Sequence, residues 1–367
     1  MNITEFIERI GKLTERKEPR KDTTPSIFAI KKARLEDVFF SYHDNKKPYS
    51  TDEGMDYSHF GLDHIHVTLN NFRSVADTME MQLKGLRATE HKTQLEIKDF
   101  TTRYRLTRKT MDFGNLHLAF GNSVLRKNLT MRFASQGDLS DFVEKVTIVA
   151  DLDSTVLDTR DLTIFAPTLK KYKDVWQIKG LFEGAINHFS LKNLHLGWGK
   201  GSTWQGNASL RGLPAIDSTY MNLDFQEAKL VSRDLLQYVN QQDANDILEK
   251  LGEVAIFKGL YKGYVSDFEA GGSFQTALGE FETQMRLAIG DGKRAPYYKV
   301  KLTTPDLQIG KLLGLEDLKN VSIDGEVEGT GFTQETAHLK LDTKIKFADY
   351  LVLAHWQWFH MPQKQIL

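Results

Sequence analysis

Three clusters of residues have types and spacings that could do chemistry. Asp151-Leu152-Asp153-Ser154-Thr155 follows the strand-like Val146 to Ala150. Two neighbouring carboxylates could act as nucleophile and acid/base, and Gly290-Asp291-Gly292 places a further carboxylate in a turn. Their context argues against it. Thr155 to Ile164 is rich in β-branched and turn residues instead of helix formers, and Lys293-Arg294-Ala295-Pro296 supplies no second acid. Gly197-Trp198-Gly199-Lys200-Gly201-Ser202-Thr203 invites a phosphate-loop reading, but Gly201 separates Lys200 from Ser202 and no helical pattern follows. A glycine-rich hairpin accounts for it. His64 and His66 share one face of a strand, as metal ligands could, yet they lie opposite Ile65, Val67 and Leu69 with no third ligand evident. No Ser/His/Asp or paired-carboxylate arrangement remains, so the residues point to binding or structure and away from an enzyme; no cofactor or metal is expected.

The elements that would position these groups are strands. Period-two alternation dominates from Ile27 onward, in Leu62 to Leu69, Leu116/Leu118/Phe120, Leu194/Leu196/Trp198, Met221/Leu223/Phe225 and Met285/Leu287/Ile289. One polar and one apolar face predicts antiparallel sheet. Asn70-Asn71, Gly114-Asn115 and Gly121-Asn122 read as turns between strands. Three non-alternating segments, Asp161 to Lys171, Arg233 to Leu251 and Pro305 to Leu318, read as short helices, each opening near an Asp-Leu pair. Thr4 to Leu13 reads as a helix with the stripe Ile3, Phe6, Ile7, Ile10 and Leu13, followed by a charged linker to Ser26.

The 367 residues carry 48 basic and 49 acidic side chains, which leaves no nucleic-acid footprint. Hydrophobic content of 40% predicts a folded chain. The absence of cysteine excludes disulfides and thiolate chemistry. No apolar run is long enough to span a membrane as a helix.

One pattern repeats. Ile178, Gly180, Phe182, Gly184 and Ile186 alternate along one strand; Phe257, Gly259, Tyr261, Gly263 and Val265 repeat the register, and Ile323, Gly325, Val327 and Gly329 give a looser third copy. Self-similarity of this kind predicts stacked units. Each unit is a short helix, a glycine-ladder strand and further strands, over about 158–231, 232–303 and 304–350. Residues 1–26 form a helix and linker, 27–157 a plainer antiparallel segment, and 351–367 a tail in which the alternation stops.

Several stretches resemble one family: Ala33-Arg34-Leu35-Glu36-Asp37-Val38-Phe39-Phe40-Ser41-Tyr42-His43-Asp44 leading into Gly54-Met55-Asp56-Tyr57-Ser58-His59-Phe60, then Asp161-Leu162 with Phe165-Ala166-Pro167, Gly212-Leu213-Pro214, and Gly310-Lys311-Leu312-Leu313-Gly314. Their order is similar to that in TamB translocation/assembly-module proteins of Bacteroidetes type, within the AsmA-like group. The resemblance implies a mainly β fold: an elongated, curved, taco-shaped antiparallel sheet with a few short helices between repeats. It also implies a periplasmic, cell-envelope bridge with an apolar groove for phospholipid transport and outer-membrane assembly. Its partners would be phospholipid acyl chains and an outer-membrane β-barrel assembly protein. Members of that family carry an inner-membrane anchor and run far longer, so a fragment is expected. Groove-lining candidates are Ile178, Phe182, Ile186, Leu194, Leu196, Trp198, Phe257, Tyr261, Val265, Ile323 and Val327. Gly180, Gly184, Gly259, Gly263, Gly325 and Gly329 would bend the strands and leave room for guests. A scaffold that carries no lipid, and a haloacid-dehalogenase-like phosphatase built on Asp151, are the competing readings.

Overall fold

Alternating apolar and polar residues become extended strands here because each side chain then finds a cross-strand partner of its own kind. The computed structural model describes residues 27–358 apart from 52, 166, 237–241, 291–293, 314–319, 332–335, 348 and 349. The helix and linker expected over 1–26, the Asp291-Gly292 turn and the end of the tail lie outside the described residues. The chain is mainly β and antiparallel with short helices between strands, as the alternation predicts. It divides into two compact units, Met1–Ala150 with Arg160–Lys170, and Asp151–Thr159 with Lys171–Leu367.

In the first unit, β1 (Ile27–His43), β2 (His59–Val75), β3 (Thr78–Glu90), β4 (Glu96–Leu106), β5 (Thr110–Phe120) and β6 (Ser123–Arg132) form an antiparallel meander, each strand paired with its neighbour in sequence. Ile65, Val67 and Ala88 form its buried centre, with Phe40, Leu62, Leu69, Leu83, Leu86 and Ile97 packed around them. β7 (Thr147–Asp158) contributes residues to both units.

The second unit is a meander of its own, with β8 (Val175–Ala185), β9 (His188–Trp198), β10 (Ser202–Arg211), β11 (Tyr220–Val231), β12 (Glu253–Tyr264) and β13 (Asp267–Thr276). It ends with β14 (Gly279–Ala288), β15 (Tyr297–Leu307), β16 (Val321–Thr330), β17 (His338–Phe347) and β18 (Tyr350–Trp358). Residues 351–358, set apart above as a tail, are therefore strand. Their register puts Trp356 opposite Leu341 and Trp358 opposite Leu339, so strand pairing continues although Leu351-Val352-Leu353-Ala354 does not alternate.

The expected helical segments are present where described. They are Thr159–Leu162 with a 3-10 turn at Pro167–Lys171, Ser232–Leu235 with Gln242–Leu251, and Ile309–Leu313. Pro305 to Leu307, assigned above to the third segment, instead finishes β15.

Two excursions share a buried hydroxyl at the base. Thr159 Oγ1 donates to the Tyr172 carbonyl (2.9 Å) and accepts from the Asp174 amide (3.0 Å). Ser232 Oγ donates to the Leu248 carbonyl (2.6 Å) and also reaches that of Gly252. Each hydroxyl joins the two ends of a detour, so the chain leaves the sheet and re-enters it at one point.

The aspartate two residues on from each hydroxyl reaches back to an earlier hairpin. Asp161 accepts from the Asn122 amide (2.6 Å) and Ser123 Oγ (2.7 Å) in the β5/β6 turn. Asp234 accepts from the Lys200 amide (2.8 Å), the Ser202 amide (3.2 Å) and Ser202 Oγ (2.7 Å) in the β9/β10 turn. The third Asp-Leu pair departs: Asp306 stays exposed on β15, and buried Leu278 and Leu307 make that contact as an apolar one.

Candidate functional site

Strand register decides which residues share a face, and bulges decide where that register slips. Asn193 of β9 has φ +50° and is one residue in excess of both neighbouring strands. Its amide is capped by Asn207 Oδ1 of the next strand (3.1 Å). The first unit repeats the device, with Asn115 at φ +51° capped by Asn128 Oδ1 (3.1 Å). Asparagine suits both because its short polar side chain tolerates the left-handed region. Gly114-Asn115 and Asn70-Asn71 are accordingly not turns: the first lies inside β5 and the second inside β2. The residue type that closes a turn also builds a mid-strand bulge, and only the strand pairing separates the two.

In β12 the bulge falls at Lys258, whose φ is +52°. Lys258 and Gly259 together oppose the single Gly272 of β13. Before the bulge Val254 and Ile256 face inward; after it Gly259, Tyr261 and Gly263 do. Phe257 therefore does not line the groove face. It pairs with Glu227 and Ser273 on the polar face and is 43% exposed. Ile186 and Val265 are also displaced from the lining, because β8 ends at Ala185 and β12 at Tyr264, which leaves both in hairpin turns.

The other candidates do share a face. Ile178 pairs with Leu196, and Leu196 with Trp204. Phe182 pairs with Leu191, and that row continues through Ala208, Leu223 and Tyr261. Farther along, Val300 pairs with Val327 and Val327 with Leu341, while Ile323 pairs with Ile345. Leu194 and Trp198 lie on β9 in the same alternation as Leu196. Leu194 and Ala208 are buried, and Ile178, Phe182, Leu196, Trp198, Tyr261, Ile323 and Val327 on the same face are half-buried. Burial pushes the Tyr261 phenol pKa above its ordinary value.

The ladder glycines serve close approach instead of leaving space. A Cβ on Gly184 would lie 2.6 Å from Phe189 Cα, and one on Gly263 would lie 2.6 Å from Phe268 Cα. Both glycines have φ +139°, which other residues rarely adopt. The ring across the pair lies against the aromatic two residues earlier: Phe189 stacks on Phe182 (4.7 Å between centroids) and Phe268 on Tyr261 (4.9 Å). Gly329 is met in the same way by the Tyr298 ring. The expectation of guest space over the glycines is thus corrected, and what the face offers is the flanks of half-exposed rings and aliphatic chains.

The polar motifs resolve into structural roles. Asp151 and Asp153 lie mid-strand in β7, alternating with buried Ala150 and Leu152, so the loop a carboxylate nucleophile needs is absent there. In Gly197 to Ser202, the Lys200 and Ser202 amides are turned to the Asp234 carboxylate and the Gly201 amide to the Trp198 carbonyl, which is a closed turn and not a phosphate loop. His64 stands on the polar face with Nδ1 2.8 Å from Asp37 Oδ1, both side chains exposed. The hydrogen bond and charge of Asp37 raise its pKa. Among the described residues no group of three or more His, Asp or Glu is placed to hold a metal, and no helix is long and apolar enough to cross a membrane.

Sequence reasoning marked Asp161 and Asp234 as repeat signposts without seeing their anchoring role. The signal was Thr159-Arg160-Asp161-Leu162 against Ser232-Arg233-Asp234-Leu235. It also missed the buried Asp56, beside the sequence-highlighted Met55-Asp56-Tyr57. Burial works to raise that carboxyl's pKa, but hydrogen bonds from the Ser50, Ser58 and His59 amides and the His59 ring overcome it and hold it low.

No family model, curated protein or solved structure matches this chain.

Proposed function

We propose that the second unit binds the acyl chains of phospholipids along its apolar face, and that the chain is a non-enzymatic segment of a periplasmic, cell-envelope bridge, as its resemblance to the TamB group implies. One observation carries the reading: on this apolar face Ile178, Phe182, Leu196, Trp198, Tyr261, Ile323 and Val327 stop at half-burial, and full burial among its described apolar residues is confined to Leu194, Ala208 and the clusters around Val254/Ile256 and Leu307/Val321 beside the helical detours. A filled sandwich would take such residues to near-complete burial. Acyl chains suit an incomplete core because their burial, about 0.8 kcal/mol per CH₂ when complete, needs no directional contact. One-sided contact delivers roughly half of that, enough to hold a chain and weak enough to let it slide.

The test is lipid mass spectrometry on the chain purified in mild detergent. Wild-type protein should carry phospholipid, Leu196→Asp and Leu223→Asp should lose most of it, and Phe257→Asp should keep it. Lipid-free wild-type protein, or equal loss from Phe257→Asp, would overturn the proposal. Lipid-free protein that still captured an outer-membrane barrel would favour the scaffold instead.

A further inference from the structure

The two ends of the strands in the second unit are finished differently. At one end lie the helical detours, the Asp234-anchored turn and buried Leu278. At the other end, among the described residues, the connections are turns, with one 3-10 turn at Ile216–Ser218. There the turns after β8, β10, β12 and β14 carry Ile186, Ile216, Val265 and Ile289. Ile186 is half-buried, and the other three are 39%, 43% and 45% exposed.

These turns form one continuous rim. The Gly212 amide donates to the Asn187 carbonyl (2.8 Å), the Ile289 amide to that of Ser266 (2.8 Å), and the Gly331 amide to that of Pro296 (3.0 Å). Tyr220 and Tyr264 meet edge-to-face (5.3 Å) and join the second turn to the third.

From this we infer that the rim is a docking surface for a lipid bilayer, seating the open ends of the hairpins in the headgroup–acyl boundary. Two features favour a bilayer over a folded partner. First, the aliphatic tips are single side chains about 10 Å apart, set by two strand spacings, with polar Asn187, Asp217, Ser266 and Asp267 beside them. A fluid acyl layer accepts isolated insertions, whereas a protein interface needs a contiguous, packed centre. Second, exposed Tyr264 and half-buried Tyr220 sit one step back from the tips, where amphipathic rings gather at a membrane–water boundary. Exposed charges along the rim balance, Arg211, Lys262 and Arg294 against Asp217, Asp267 and Glu269, so the docking inference rests on the tips and the tyrosines and not on headgroup charge.

The rim is continuous with the apolar face: Phe189, Met221 and Phe268 belong to that face within a few residues of the turns. A lipid leaving the bilayer at the tips would reach the face without crossing water. The docking inference stands on the tips themselves, and its link to transfer rests on the acyl-binding reading above.

The experiment is flotation of the full chain with vesicles of phosphatidylethanolamine and phosphatidylglycerol. The tip variant combines Ile216→Asp, Val265→Asp and Ile289→Asp, all at exposed turn positions; Leu196→Asp is the face variant. Wild-type protein and the face variant should float, and the tip variant should bind vesicles at least roughly tenfold more weakly while keeping its co-purified lipid. Flotation of the tip variant equal to wild type would overturn the inference. So would a wild-type dimer that fails to float and becomes monomeric in the tip variant, since the rim would then join copies of this chain. Wild-type protein that floats but carries no lipid would uphold the rim and sink the acyl-binding reading, so the two fail separately.

Discussion

Asp234→Ala should loosen one hairpin by a large and local amount. The carboxylate is 5% exposed and accepts three hydrogen bonds, from the Lys200 and Ser202 amides and from Ser202 Oγ, itself on a residue only 1% exposed. Removing it strands buried donors at about 1–3 kcal/mol each, with water able to recover the Lys200 amide because Lys200 is exposed. The expected loss is about 3 kcal/mol, which is a rise of roughly a hundredfold in the opening equilibrium of the β9/β10 hairpin. Hydrogen exchange read by mass spectrometry over residues 194–206 measures it directly, since local opening sets the exchange rate. The control is Asp306→Ala, at the matching Asp-Leu position of the third detour, where the side chain is exposed and the turn contact is made by Leu278 and Leu307. That change should cost no more than about 0.5 kcal/mol. Equal effects at Asp234 and Asp306, or an Asp234→Ala effect spread evenly over the second unit, would refute the anchoring argument.

Other outcomes follow from single contacts. Gly263→Ala should destabilise by about 2–4 kcal/mol in a denaturant titration, since the new Cβ meets Phe268 while φ is +139°. Lys258→Gly should raise stability by about 0.5–1 kcal/mol, because φ +52° strains lysine but not glycine, and an unchanged midpoint would count against a strained bulge. Trp198 Nε1 is the one buried side-chain nitrogen or oxygen without a hydrogen-bond partner among the described residues, so Trp198→Phe should be neutral or stabilising in thermal unfolding. The His64 titration, followed by NMR, should have its midpoint above the ordinary histidine value and return to it in Asp37→Asn. Because the folded pKa is raised, the pair contributes below the unfolded value and its contribution disappears as pH rises through the folded one. Lipid loading should push the Tyr261 phenol further up in a spectrophotometric titration, and no change on loading would place the acyl chain elsewhere.

Much was legible without coordinates. Alternation in a strand reports one face of a sheet wherever water lies on the other, so the mainly β, antiparallel architecture followed from composition along the chain. The helical detours at Asp161, Arg233 and Leu312 followed for the converse reason, since their apolar residues lose the period of two. The sharing of one face by Ile178, Phe182, Leu194, Leu196 and Trp198 was also readable, because no bulge of β8 separates the first two and the last three lie beyond Asn193. Phe257 was misplaced for the opposite reason. One extra residue at Lys258 exchanges the faces, and lysine carries no mark of the left-handed conformation it is forced into. The glycines were readable as special but not in purpose: only the pairing of Gly184 with Phe189, and of Gly263 with Phe268, turns an apparent vacancy into a ring seat. Asp161 and Asp234 were visible as a repeat, but their partners lie more than thirty residues back along the chain. Local pattern thus determined which residues alternate. Cross-strand register, which long-range backbone hydrogen bonds fix, decided which of them meet.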